Sequence, residues 1–190
     1  SNSVIPGLPL AWTSDDILQL DELPKSLLVI GAGFIGVEFA SILSNLGVQV
    51  SMAYRAELPL NGFDEDLRRL TAEALAAQGV TLYPESKMEA LVKTDEGFEL
   101  QRGNGPALQA QAALNATGRH PNVQGLGLET IGVTPDKKGA IPVDADSRTT
   151  AAGVWAIGDV TNRVNLTPVA IAEGRAFADT EFGGRPMQVS

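Results

Sequence analysis

Leu27-Leu28-Val29-Ile30-Gly31-Ala32-Gly33-Phe34-Ile35-Gly36-Val37-Glu38 is the stretch that decides how the rest of the chain is read. Its four leading apolar residues suit a strand buried on both faces, and the G-x-G-x-x-G run leads into residues able to continue as a helix. Each glycine answers a different demand. Gly31 lets the chain turn tightly out of the strand, Gly33 lets the backbone approach a pyrophosphate, and Gly36 lets the helix pack against the neighbouring strand. The phosphates then sit at the positive helix N-terminus. A second apolar segment, Val48-Gln49-Val50-Ser51-Met52-Ala53-Tyr54, follows about twenty residues on and completes a β-α-β unit. That context predicts a dinucleotide site.

Toward the N-terminus, Val4 to Pro9 carries two prolines and a glycine and reads as an extended lead-in. Thr13-Ser14-Asp15-Asp16 predicts a helix start with Thr13 as N-cap and Asp16 in the capping-box position. The short helix runs to about Leu20, Pro24 ends it, and the strand begins near Ser26.

Toward the C-terminus, the helix from about Gly33 places Val37, Phe39, Ala40, Leu43 and Leu46 on an apolar stripe, with Gly47 as its stop. After the loop Arg55 to Gly62, Asp64 and the acidic turn Glu65-Asp66 suit a helix N-terminus. Leu67, Leu70, Ala74, Leu75 and Ala77 then recur at helical spacing up to Gly79, and Val80-Thr81-Leu82 predicts a third parallel strand. Met88 to Lys93, Phe98 to Gln101 and Ala107 to Gln111, separated by turn signals, predict an antiparallel meander that replaces the usual crossover helix. Ala112 to Thr117 returns to the parallel sheet and leaves Gly118 and Arg119 at its C-terminal edge, where ligands of open α/β sheets bind.

A domain boundary is expected near Arg119 to Gln124. Beyond it come a short strand at Ala140 to Val143, a buried strand at Val154 to Ile157, and a helix from Pro168 to about Phe182. This tail is too short to complete a second core. The expected fold class is therefore α/β, a Rossmann-like parallel sheet with an antiparallel meander crossover over residues 1–120, followed by part of a second domain over 121–190.

Composition narrows the function. A chain of 190 residues that is 44% apolar and 19% charged has the balance of a soluble globular protein. It has no apolar run of the ~18 residues that suggest a membrane span. The net charge of −9 argues against a nucleic-acid partner, which needs a basic face. There is no cysteine, so neither disulfides nor thiol chemistry arise within the chain. A lone histidine, His120, builds no typical zinc site, and no metal is expected. The N-terminus has no signal-peptide pattern, and Ser1-Asn2-Ser3 is open to two readings, a cloning scar or an internal cut point.

Three stretches in order resemble the pyridine-nucleotide disulfide oxidoreductases, and within them the glutathione-reductase branch. They are Gly31 to Glu38, then Ala116-Thr117-Gly118-Arg119-His120-Pro121-Asn122, then Ile157-Gly158-Asp159-Val160 with Leu166-Thr167-Pro168-Val169-Ala170. The resemblance implies a flavoenzyme that passes a hydride from a nicotinamide cofactor to FAD and electrons on to a cysteine pair, which reduces a small-molecule disulfide, expected to be glutathione disulfide. It implies that the FAD-binding start with the cysteine pair, and a C-terminal dimerisation domain making a homodimer, lie outside this chain. Alone, the chain is then expected to be inactive and to contain no catalytic residue. A cytoplasmic location goes with that expectation.

The same resemblance assigns roles by position. Gly31, Ala32, Gly33 and Gly36 line the nicotinamide dinucleotide, Ile35 and Glu38 lie nearer the nicotinamide, and Gly118 and Arg119 close the site from the sheet. Phe34 stands where a tyrosine usually gates the nicotinamide pocket and keeps the stacking face without the hydroxyl. Asp159 accepts hydrogen bonds from the FAD ribityl chain, the Thr167 backbone approaches the flavin ring, and Gly158 and Asn165 adjoin them. The bland readings are a dipole-favouring Glu38, a solvated Arg119, a turn-forming Asp159 and an unremarkable His120.

The cofactor signals conflict. Arg55 at the end of the second strand suits a 2′-phosphate and favours NADPH. Asn61 in place of a second arginine, Glu57 nearby, and Gly36 where NADPH users often carry alanine favour NADH. The absence of an acid at the strand end tips the reading to NADPH, with NADH in second place. The loop Ala53 to Asp64 resembles that of trypanothione reductase. A dihydrolipoamide reductase-type enzyme and a non-catalytic nicotinamide-nucleotide-binding module also remain open on the sequence.

Overall fold

The computed structural model describes residues 5–189. The readings of Ser1-Asn2-Ser3 and of Val4 therefore lie outside the described residues. Two compact units divide between Gly118 and Arg119.

The first unit is built on a parallel sheet of β1 (Ser26–Ile30), β2 (Gln49–Ala53), β3 (Thr81–Tyr83) and β7 (Ala112–Asn115), in the order β3-β2-β1-β7. β1 is central, pairing in parallel with β2 on one side and β7 on the other. Because side chains alternate across a strand, Leu27 and Val29 enter one core and Leu28 and Ile30 the other. All four are 0% exposed, and burying each contributes roughly 1.5–3 kcal/mol. The first core is closed by α2 (Phe34–Asn45) and α3 (Glu65–Ala77) through Ala40, Leu43 and Leu75. The second is closed by an antiparallel sheet of β4 (Met88–Thr94), β5 (Gly97–Arg102) and β6 (Leu108–Ala110), which contributes Leu91, Phe98, Leu100, Leu108 and Ala110. The meander thus occupies the sheet face that a crossover helix would otherwise cover.

Helix boundaries follow local chemistry. Thr13 and Asp16 form the reciprocal capping box of α1 (Ser14–Ile17), with the Asp16 carboxylate accepting from the Thr13 N–H at 2.7 Å. The bonds from Thr13 hold the Asp16 carboxyl below the usual carboxylate range. Asp64 caps α3 through the N–H groups of Asp66 and Leu67. Gly47 and Gly79, with φ of +90° and +87°, follow α2 and α3.

Several sequence expectations are corrected. α1 ends at Ile17 and not near Leu20, because Gln19 and Leu20 bond only to carbonyls three residues back. The described part of the lead-in is a turn at Pro6-Gly7 and a 3-10 turn, Leu8–Leu10, with the Pro6 carbonyl accepting from the Leu91 N–H of β4. Leu46, Leu67 and Leu70 are 59, 56 and 60% exposed and do not enter the core. Helical spacing identified a stripe, but its outer members lie beyond the reach of the sheet.

The second unit holds α4 (Thr167–Glu181), with Pro168 in its first turn, and two 3-10 turns, Leu128–Ile131 and Gly158–Thr161. The expected strands at Ala140 to Val143 and Val154 to Ile157 do not form ladders: Arg148 and Trp155 make an isolated bridge, and Ile141 donates to the Val160 carbonyl. Leu128, Val133, Ile141 and Ala156 are buried together all the same. Apolar runs of this kind show burial, whereas a strand also needs a partner across from each residue.

Candidate functional site

A cleft of about 520 Å³ opens at the C-terminal edge of the parallel sheet. It is lined by Gly31, Ala32 and Gly33 after β1, by Tyr54, Arg55, Ala56, Leu58 and Asn61 after β2, by Met88, and by Ala116, Thr117 and Gly118 after β7. Three parallel strands therefore deliver their following loops to one place, as the strand order requires.

The three motif glycines occupy different environments. Gly31 has φ of +106°, and a Cβ there would stand 2.4 Å from the Ala116 carbonyl oxygen. Gly36 is buried, and a Cβ would stand 2.4 Å from the Gly31 carbonyl oxygen and 3.3 Å from the Ala116 Cβ. Both are required by the fold itself. Gly33 is different: its φ of −74° and ψ of −179° suit any residue, and a Cβ there would meet no atom within 4 Å. Neither backbone strain nor packing asks for glycine at 33. The space in front of it is free for a ligand, and Gly33 is the N-cap of α2 with no side-chain cap, so the first-turn N–H groups of a twelve-residue helix face that space.

The loop after β2 is fastened at several points. The Leu60 N–H donates to the Ala32 carbonyl at 2.7 Å, tying the loop to the glycine turn. From α3, Arg68 donates through Nε to the Pro59 carbonyl at 2.8 Å and through Nη2 to the Leu58 carbonyl at 3.0 Å. Arg68 is thereby consumed in holding the loop. Arg55 remains as the charged member of the cleft lining, and among the described residues no carboxylate lines it. Glu57 is exposed and outside the lining. Tyr54 is 4% exposed, and its burial pushes the phenol above its ordinary pKa, keeping it a neutral hydroxyl. On the opposite side, the Asn115 Oδ1 accepts from the Thr117 N–H at 3.2 Å and its hydroxyl at 2.8 Å, setting the turn into Gly118.

Of the residues expected at this site, Gly31, Ala32, Gly33, Arg55, Asn61 and Gly118 come together. Phe34 and Glu38 are exposed on α2 and Ile35 packs against the first core, none of them in the lining, and Gly36 serves packing. Arg119 falls in the second unit, where its Nε is 4.0 Å from the Asp159 carboxylate and both side chains are about half exposed. Sequence reasoning missed Tyr54, Ala56, Leu58, Met88, Ala116 and Thr117 as cleft residues. For all but Met88, which opens β4, the available signal was their place in the segments that follow β2 and β7.

In the second unit, Gly158 and Asp159 open a 3-10 turn whose conformation is held by side chains. Gly158, at φ of +69°, donates its N–H to the Glu173 carboxylate at 2.6 Å, and its carbonyl accepts from the Thr161 hydroxyl at 2.8 Å. Glu173 is only 7% exposed and also receives the Arg163 guanidinium at 2.9 Å, which in turn donates to the Ser147 hydroxyl. Asn165 bonds Asn162, and Thr167 is exposed in the first turn of α4, whose N-cap Leu166 offers no side-chain cap. Exposed Asp159 and those uncapped N–H groups fit a polar, hydroxyl-bearing ligand.

Residues 4–174 match the family described as pyridine nucleotide-disulphide oxidoreductase. The chain is 44% identical over 183 residues to glutathione reductase of Burkholderia cepacia, covering 96% of this chain and 41% of that protein. It is 39% identical over 188 residues to trypanothione reductase of Trypanosoma congolense, covering 97% and 38%. Among solved structures, the HOCl-induced flavoprotein disulfide reductase RclA of Escherichia coli superposes with a TM-score of 0.89 at 32% identity, covering 97% of this chain and 43% of that one. The chain thus spans about two fifths of the length of the relatives it matches. With nearly all of its residues inside the matched region, it belongs to the pyridine nucleotide-disulphide oxidoreductase family.

Proposed function

We propose that this chain is the NADPH-binding portion of an FAD-dependent disulfide reductase that acts on glutathione disulfide. Residues 1–120 are the NAD(P)H-binding domain and residues 121–190 a segment of the FAD-binding domain. The intact protein is a cytoplasmic homodimer. The observation that carries the reading is the open space in front of Gly33 at the uncapped N-terminus of α2. A pyrophosphate fits there because it brings its own acceptors to N–H groups that, among the described residues, no side chain caps.

Within this reading, Gly31 shapes the turn, Gly33 admits the pyrophosphate, and Gly118 leaves room on the far side, where a Cβ would again meet no atom within 4 Å. Arg55 faces the 2′-phosphate. A cleft lined by one cation and no carboxylate favours the phosphorylated cofactor. In the second unit Asp159, held by the Gly158–Glu173 bond, receives the FAD ribityl hydroxyls, with Thr167 beside the flavin. When bound, the nicotinamide supplies a hydride that FAD accepts and relays to a cysteine pair, of which this chain has none. This chain's own work is to bind, orient and discriminate.

Calorimetry with NADPH and NADH on the parent and on Arg55→Ala tests the reading. Loss of a charge-assisted contact weakens NADPH binding by roughly 1.5–3 kcal/mol and leaves NADH nearly unchanged. A parent that prefers NADH, or a variant that weakens both cofactors equally, would show that Arg55 does not read the 2′-phosphate. The substrate is tested separately, by comparing glutathione and trypanothione disulfides with the intact protein.

A further inference from the structure

The chain contains two Asn-Gly dipeptides, Asn61-Gly62 and Asn104-Gly105, and both are exposed. In such a pair the asparagine amide carbon is open to the backbone nitrogen of the glycine, because that residue has no side chain to shield it. Whether the two meet depends on how freely the amide swings. Asn104 is held at both ends: its Oδ1 accepts from the Lys87 N–H at 2.9 Å and its Nδ2 donates to the Glu85 carbonyl at 2.9 Å. Asn61 is not held. Among the described residues neither its amide nor the Gly62 N–H makes a hydrogen bond. Gly62 has φ of +93°, and a Cβ there would meet nothing within 4 Å. Asn61 also lines the cleft together with Arg55.

We propose that Asn61 is a spontaneous deamidation site whose product turns the cleft against a 2′-phosphorylated dinucleotide. The Gly62 nitrogen attacks the Asn61 Cγ; the new N–Cγ bond forms, the Cγ–Nδ2 bond breaks, and the nitrogen's proton leaves with ammonia. Water then opens one of the two imide bonds, leaving aspartate or isoaspartate at position 61. Nothing is oxidised or reduced, and water is the only co-reactant. The neutral amide becomes a carboxylate, so the lining changes from one cation to a cation and an anion. The phosphate of NADPH then meets a like charge that NADH, lacking that phosphate, does not. This consequence rests on the proposed placing of Arg55 and Asn61 around the 2′-phosphate; the modification itself does not.

The test ages the chain at mildly alkaline pH beside Asn61→Gln, whose longer side chain does not close the five-membered ring. Tryptic peptides are weighed, position 61 lying between Arg55 and Arg68 and position 104 between Arg102 and Arg119. The expected result is the amide-to-acid mass gain in the Asn61 peptide while the Asn104 peptide stays unchanged. Aged parent and fresh Asn61→Asp then bind NADPH about tenfold more weakly than fresh parent, with NADH affinity maintained, and Asn61→Gln ages without loss. Equal rates at the two sites, or none at Asn61, overturn the proposal. Modification confined to Asn61 with NADPH affinity intact upholds the site and refutes the 2′-phosphate reading.

Discussion

Alanine at each motif glycine separates what the fold requires from what a ligand requires. At Gly31 the added Cβ is forced into φ of +106° and to 2.4 Å from a backbone oxygen that has no room to yield. Positive φ alone costs about 1–3 kcal/mol, and with the clash the loss is expected to be about 3 kcal/mol or more. At Gly36 the clash with the Gly31 carbonyl costs about 1–3 kcal/mol, offset by about 1 kcal/mol of helix propensity. At Gly33 the backbone is ordinary and the space empty, so the roughly 0.4–1 kcal/mol that alanine gains through the unfolded chain is set against a loss of similar size because alanine is the poorer N-cap, and the net change should be close to zero. Urea unfolding measures all three, read by Trp12 of the first unit in a Trp155→Phe background. That background loses no hydrogen bond, since among the described residues the Trp155 Nε1 has no partner. Calorimetry on the folded Gly33→Ala protein should then find dinucleotide affinity sharply reduced. If Gly33→Ala destabilises as Gly31→Ala does, Gly33 is a packing glycine; if it is stable and binds normally, no phosphate approaches it.

Glu173→Ala leaves the Gly158 N–H and the Arg163 guanidinium without their shared acceptor and should cost about 3 kcal/mol, whereas Glu173→Gln keeps an acceptor for Gly158 and should cost less. Thermal melting ranks the two, and equal losses would mean that the Gly158 bond contributes little. The Asp16 carboxyl is held low by its bonds from Thr13, so its contribution is fully present above its unfolded value of about 3.9 and is lost as pH falls through the lower folded value. Urea midpoints of the parent and of Asp16→Ala should therefore differ at neutral pH and converge in acid. A gap that stays constant with pH would show that the charge is not involved.

Much of the first unit was legible because its signals are local and repeat at fixed periods. Leu27 to Ile30 read as a strand buried on both faces, Thr13 and Asp16 as a capping box, and the turn signals between Met88 and Gln111 as a meander, and the structure has each of them. Where periodicity alone was followed, it overreached. Leu46, Leu67 and Leu70 share a helical stripe with buried residues but lie too far around or along the helix to reach the sheet. Val154 to Ile157 is apolar and partly buried yet bridges at one residue, since strand pairing depends on a partner remote in sequence.

The sequence by itself determined the β-α-β unit, its glycine turn and the strand-end position of Arg55, because those depend on residue types at short spacing. Tertiary structure alone decided what each residue faces. It separated Gly33, which stands before open space, from Gly31 and Gly36, which a backbone oxygen occupies. It left Arg55 in the cleft and tied Arg68, an equally basic side chain, to the Leu58 and Pro59 carbonyls. It also put the carboxylate of Glu173 inside a helix face, against a glycine fifteen positions earlier. Contacts of that kind are made between segments that folding brings together, and no pattern confined to one segment encodes them.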